Sequence, residues 1–181
     1  AHRSFRRSTP GRSFEVPFMT VGIDAEGQIL DEVSGQIDAV LASHFHDLVV
    51  GLRVPEFHPV RVELKRQYGP DPRVVLVDDL SSEVPNAPVR LELPPRVFIH
   101  RDDIAQLLRN LEGVGVVRVS FGLASELRMG LTRALRRGEH AGSGDMWSVA
   151  GVLFGERTVP RKSLKSSVSK ALQKEHHMFQ Q

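Results

Sequence analysis

"FMTVGID", residues 18–24, is the stretch whose reading decides the fold. It is rich in β-branched and large apolar residues, carries no charge before Asp24, and is closed by "AEGQ" as by a turn, so it reads as a strand. From Asp31 onward, Val33, Ile37, Val40, Leu41 and Phe45 recur at helical spacing, which predicts an amphipathic helix of about three to four turns. Strand followed by helix is one βα unit. Counting it as the first unit sets the number of every strand that follows.

Working outward, "LVVGLRV" (48–54) is an apolar run short enough for a buried strand, and "VRVELKRQYG" (60–69) a short helix stopped at Gly69. "RVVLV" (73–77) is the third strand. "APVRLELPP" (87–95) alternates Val89, Leu91 and Leu93 with Arg90 and Glu92, which predicts a fourth strand with one face less buried. Asp102 or Asp103 can cap a helix carrying Ile104, Leu107, Leu108 and Leu111, ended by Gly113, and "VGVVRVSF" (114–121) is a fifth strand. A basic helix over "SELRMGLTRALRRG" (125–138) and an apolar one over "MWSVAGVLFG" (146–155) complete the pattern. Alternation in this order predicts an α/β domain, a mainly parallel sheet sandwiched by helices.

With 181 residues, 40% hydrophobic and 25% charged, the chain suits one globular domain. It has no cysteine, which removes disulfides, thiolate metal sites and cysteine nucleophiles and leaves carboxylates, histidines and hydroxyls for chemistry. The longest apolar stretches, such as Trp147–Phe154, are far too short for a membrane span, and no signal-peptide pattern opens the chain. The expected location is cytoplasmic, including the inner face of the membrane. Net charge is +2, but residues 1–13 hold four arginines and no acid, and residues 157–181 six bases and one acid. The centre is left with 14 bases and 21 acids, about −7. The organisation expected is a basic arm (1–13), an α/β domain (14–157) and a basic tail (158–181), both ends solvated. Without regular aromatic interleaving, nucleic acid is an unlikely partner. The opening "AHRS" and the closing "HHMFQQ" suggest a segment of a longer polypeptide.

Short motifs decide little. "HRDD" (100–103) has no asparagine five residues after Asp102 and opens a helix, so capping explains it better than a kinase-type catalytic loop. "GSGD" (142–145) lacks the strand and the third glycine of a dinucleotide fingerprint and reads as a turn. His44 and His46 are two apart, the wrong spacing for a shared helical face, and read as helix-end cations or turn residues. His176 and His177 sit in the basic tail, and Trp147 reads as core. Asp24, Asp78, Asp79 and Glu92 stand at strand ends, where open parallel sheets bind ligands, although solvated loop acids occupy such places too.

The element order over residues 15–157 resembles the nucleotide-binding half of family 2 glycosyltransferases of GT-A fold. "VLVDDLSSE" (75–83) is similar to the paired-aspartate motif with which that family ends its second strand, but here the string follows the third strand, and the second ends at Arg53. The resemblance implies nucleotide contacts from Asp24, Arg53, Asp78 and Asp79. It places Glu92 at the first of the family's two metal-binding acids, with Pro94 at the second, and Asp145 in "GEHAGSGDMW" at the acceptor-side general base. An active member would use Mg2+ or Mn2+ with a nucleotide-sugar. The departures favour a degenerate, accessory glycosyltransferase-like module of a longer polysaccharide or cell-envelope enzyme, partnered by the rest of that polypeptide or by a second copy, and in contact with a polysaccharide. The alternatives are an active nucleotide-sugar transferase and an α/β domain gripping an anionic polymer through its basic tails.

Overall fold

The computed structural model describes residues 16–80, 86–122, 125–141 and 144–168. The basic N-terminal arm and residues 169–181 lie outside them. The strands are β1 (Met19–Asp24), β2 (Leu48–Arg53), β3 (Val74–Val77), β4 (Val89–Glu92), β5 (Val97–Phe98), β6 (Val116–Ser120), β7 (Glu126–Leu131), β8 (Glu156–Thr158) and β9 (Ser167–Val168). The α-helices are α1 (Leu30–Leu41), α2 (Arg61–Tyr68), α3 (Asp103–Leu111), α4 (Thr132–His140) and α5 (Met146–Phe154). Seven strands form one sheet in the order β3-β2-β1-β4-β7-β6-β8, and β5 pairs with β9 in a separate ribbon.

The first βα unit is as expected, and its strand lies near the centre of the sheet. Met19, Val21 and Ile23 are fully buried on one face with Val50, Leu52, Leu91, Leu127 and Met129 of neighbouring strands. Val33 and Ile37 of α1, Leu64 of α2, and Ile104 and Leu107 of α3 join the same core. Three helices therefore cover one face. The antiparallel pair α4 and α5 covers the β6–β7 side of the other through Ala134, Leu135, Trp147, Ala150 and Val116. Gly138 permits that approach, because a Cβ there would stand 2.5 Å from the carbonyl oxygen of Met146. Toward β1 and β4 the second face is instead met by Leu80, whose side chain lies against Gly22.

Two expectations need correction. Residues 126–131 of the predicted basic helix form β7, and only 132–140 are helical. Leu127 and Met129 alternate with Glu126, Arg128 and Gly130, and antiparallel pairing to β4 on one side and β6 on the other selects the strand. The sheet is thus mostly parallel, with one reversed strand inside it, and the layers are not a uniform sandwich. The chain also stays packed beyond residue 157. Val159 and Leu164 are buried, and the carboxylate of Asp103, itself 2% exposed, accepts the Lys165 amide at 2.9 Å and the Ser166 hydroxyl at 2.5 Å. A basic composition masked two apolar anchors and a buried acceptor, so residues 158–168 are docked rather than solvated.

α2 is fixed to α1 by Tyr68, the only tyrosine in the chain, whose hydroxyl donates to Asp38 at 2.8 Å and to the Ser34 carbonyl at 3.2 Å. Burial, with the Asp38 hydrogen bond adding to it, pushes the phenol up to about 12 from an ordinary 10. The folded-state value is the higher one, so this contribution to stability is complete below pH 10 and lost as pH rises from 10 through 12. Ultraviolet titration of the single phenol should show ionisation near 12, and Asp38→Ala should lower that midpoint. An ordinary midpoint of 10 in the native protein would mean that Tyr68 is not packed against α1.

Candidate functional site

β2 and β3 extend the sheet to one side of β1, and β4 lies on the other, so the connections diverge between β1 and β4. In open α/β sheets this switch point leaves a crevice beyond the carboxyl ends of the strands. β1, β2, β3 and β4 run parallel, so Asp24, Arg53 and Glu92 end their strands on the same side, with Asp78 just beyond β3.

Buried amides frame the carboxyl ends of these strands. Gln36 of α1 is completely buried and donates to the carbonyls of Pro94 and Val97 at 2.8 and 3.0 Å. Its oxygen accepts from Gln28 at 3.0 Å, and Gln28 also donates to the Asp24 carbonyl at 2.6 Å and accepts the Arg96 amide at 3.0 Å. Arg96 has φ +65°, a left-handed conformation costly for a side-chain-bearing residue, and the Gln28 bond helps to hold it. The loop after β1 and the loop after β4 are thereby tied together through one helix.

The polar side chains at the mouth are paired with each other. The Arg53 guanidinium binds Asp24 at 2.8 Å and Glu26 at 2.7 Å, and holds the Glu26 carboxyl below the usual carboxylate range. Arg61 reaches Asp78 at 3.4 Å and also donates to the Val54 carbonyl. Asp79 has interactions of its own. Glu92, 18% exposed in its side chain, binds Arg90 at 2.8 Å through one oxygen and Arg128 at 2.6 Å through the other. Arg128 stands opposite Glu92 in the β4–β7 register, lies 4.8 Å above the ring of Trp147, and approaches Asp145 to 3.8 Å. Asp145 itself caps α5, accepting from the amides of Trp147 and Ser148 and from the Ser148 hydroxyl. Next along the sheet, Arg118 bridges Glu126 and Glu156 at 2.7 and 2.9 Å. Burial opposes its charge, yet the two carboxylates outweigh burial and raise its pKa.

The structure therefore brings Asp24 together with Arg53, and Glu92 with Asp145 through Arg128. Asp78 is held by a separate arginine. The residues that sequence reasoning missed are Arg90, Arg118 and Arg128. Their signal was the charge alternating with apolar residues in "VRLE", "VVRVS" and "ELRMGL".

The donor set does not fit a divalent cation. Both Glu92 oxygens face guanidinium groups, and Pro94 offers no carboxylate. Among the described residues no three His, Asp or Glu side chains converge as a metal site requires.

No protein-family model and no curated protein matches the sequence. Among solved structures, Staphylococcus aureus TarS 1–349 in complex with UDP-GlcNAc matches with TM-score 0.60 at 7% identity, over 81% of this chain and 57% of that one. S. aureus TarS matches with TM-score 0.57 at 8% identity, over 81% of this chain and 35% of that one. The likeness is one of fold, and the chain spans little more than half of the shorter of these proteins.

Arg128→Ala should strip one partner from Glu92 and the cation from Trp147. We expect a loss of about 1–2 kcal/mol in denaturant unfolding, since the pair is only partly desolvated. Trp147 is the sole tryptophan, so its emission should change in the same variant. Unaltered fluorescence and stability would contradict the Arg128 geometry.

Proposed function

We propose that the chain is a glycosyltransferase-like domain that works as a non-catalytic, accessory module of a longer polysaccharide or cell-envelope enzyme. The observation that carries this reading is Glu92. A metal-dependent transferase of this fold needs carboxylate oxygens free to hold the cation that bridges the donor phosphates and steadies the leaving group. Here the single carboxylate at that position is neutralised by Arg90 and Arg128. Releasing it would leave two arginines without their partner in a half-buried site, a cost that a weak second ligand such as the Pro94 backbone does little to offset. Asp145, the candidate base, spends its oxygens on the first turn of α5.

A second reading rests on the other half of the crevice. Asp24 and Arg53 end adjacent strands in register at the switch point, the place where sheets of this kind hold nucleotides. An active transferase would use them, with Asp78 and Asp79, toward the nucleotide, Glu92 toward Mg2+ or Mn2+, and Asp145 toward the acceptor hydroxyl.

Thermal melting with UDP-GlcNAc, and then with GDP- and TDP-sugars, separates the two. A ligand at 100 times its Kd stabilises the native state by about 2.7 kcal/mol. The accessory reading expects no manganese-dependent rise in Tm and no release of nucleotide. A manganese-dependent rise with donor hydrolysis would replace it by the transferase. A rise that ignores manganese would keep nucleotide binding at Asp24 and Arg53 and leave Glu92 without a metal role.

A further inference from the structure

Most arginines of the described chain are matched to a carboxylate, but those of α4 are not. Arg133, Arg136 and Arg137 are exposed at i, i+3 and i+4, and none of them forms an ion pair or a side-chain hydrogen bond with a described residue. Nearby, Arg157 of β8 donates to the backbone carbonyls of Asn110 and Glu112 rather than to an acid. The acids in this neighbourhood are Glu112, which lines the adjoining groove, Glu139 on the last turn of α4, Asp47, which lines the groove on the other flank of α4 and accepts the Phe18 amide, and Glu156, which lies against Gly151 of α5 and is paired with Arg118.

α5 supplies the second observation. It is apolar on nearly every side, yet only Trp147, Ala150 and Gly151 are buried, while Val152 is 86% exposed, Leu153 55% and Phe154 38%. A helix of this composition ordinarily lies inside a protein or against another apolar medium. α4 and α5 are antiparallel, so the start of α4 meets the end of α5, and Arg133, Arg137 and Phe154 line one groove of about 620 Å³. On the other flank of α4, Arg133 and Arg136 line a second groove with Phe18, Pro88 and Leu131.

We propose that this end of the α4–α5 hairpin docks on an anionic lipid bilayer, with the arginines among the headgroups and Val152, Leu153 and Phe154 entering the interface. Unpaired guanidinium groups call for an anionic partner, and the apolar side chains beside them distinguish a bilayer from a dissolved polyanion, which has nothing apolar to cover them. Leu131 of β7 stands opposite Val89, the first residue of β4, so the docking end lies at the amino ends of the parallel strands. The crevice at Asp24 and Glu92 would open away from the membrane. The inference does not depend on whether that crevice is catalytic.

The test is sedimentation of the full chain with vesicles of phosphatidylcholine alone and of phosphatidylcholine with phosphatidylglycerol, at an ionic strength of about 0.15 M. We expect binding to the anionic vesicles only. R133Q/R136Q/R137Q should weaken it about 100-fold, from about 1 kcal/mol per basic residue at the surface. V152S/L153S should weaken it about tenfold or more, as buried apolar area is lost. All these positions are exposed, and an unchanged Tm would show that each variant folds. Equal binding to both kinds of vesicle, or a triple glutamine variant that binds like the parent, would overturn the proposal, the latter by assigning binding to the basic termini. So would full competition by soluble polyphosphate combined with no effect of V152S/L153S, which would make the face a polyanion site.

Discussion

A single buried amide organises the functional end of this molecule. Gln36 has no access to water, so its oxygen and nitrogen must be satisfied from within. The partners it finds are the loop after β1, through Gln28, and the loop after β4, through the carbonyls of Pro94 and Val97. That requirement ties α1, which packs on β1 and β5, to the two loops flanking the switch point. An apolar residue at position 36 would remove one buried hydrogen bond from each of the two carbonyls, at about 1–3 kcal/mol apiece.

Within that frame the charges have been arranged to neutralise one another. The reversal of β7 puts Arg128 directly opposite Glu92, and the two-residue repeat of β4 puts Arg90 on the same face. A carboxylate gripped from two sides contributes to the cohesion of the β4–β7 junction and links it, through Trp147 and Asp145, to the start of α5. Under the alternative proposal of an active transferase, Glu92 and Asp145 are the residues that would hold a cation and face an acceptor. Structural cohesion and metal binding compete for the same two oxygens, and here the guanidinium groups occupy them.

The alternation of strands and helices from β1 to β4 was legible because it rests on local periodicity, and with it the strand-end places of Asp24, Asp78 and Glu92; the order of the strands within the sheet was not, because it is set by pairing between distant segments. β7 was not legible. Leu131, Ala134 and Leu135 have helical spacing, Arg, Glu, Met and Leu are good helix formers, and the two strands that claim Glu126–Leu131 come from distant parts of the chain. Misreading β7 hid Arg128, and with it the fact that Glu92 is paired. The burial of Gln36 was equally invisible, since its backbone partners lie 58 and 61 residues away. The docking of residues 158–168 was masked by basic letters around Val159 and Leu164.

The ion-paired state of Glu92 is the central claim, and it can be tested without any assay of turnover. Backbone amide NMR signals recorded during a titration with Mn2+ in the presence of UDP would report a bound paramagnetic ion by local broadening. Glu92 held by Arg90 and Arg128 predicts no selective loss of the signals of Gly22, Glu92 and Leu93. Selective broadening centred on Glu92 would show that the arginines yield the carboxylate to a metal, and would contradict the accessory role.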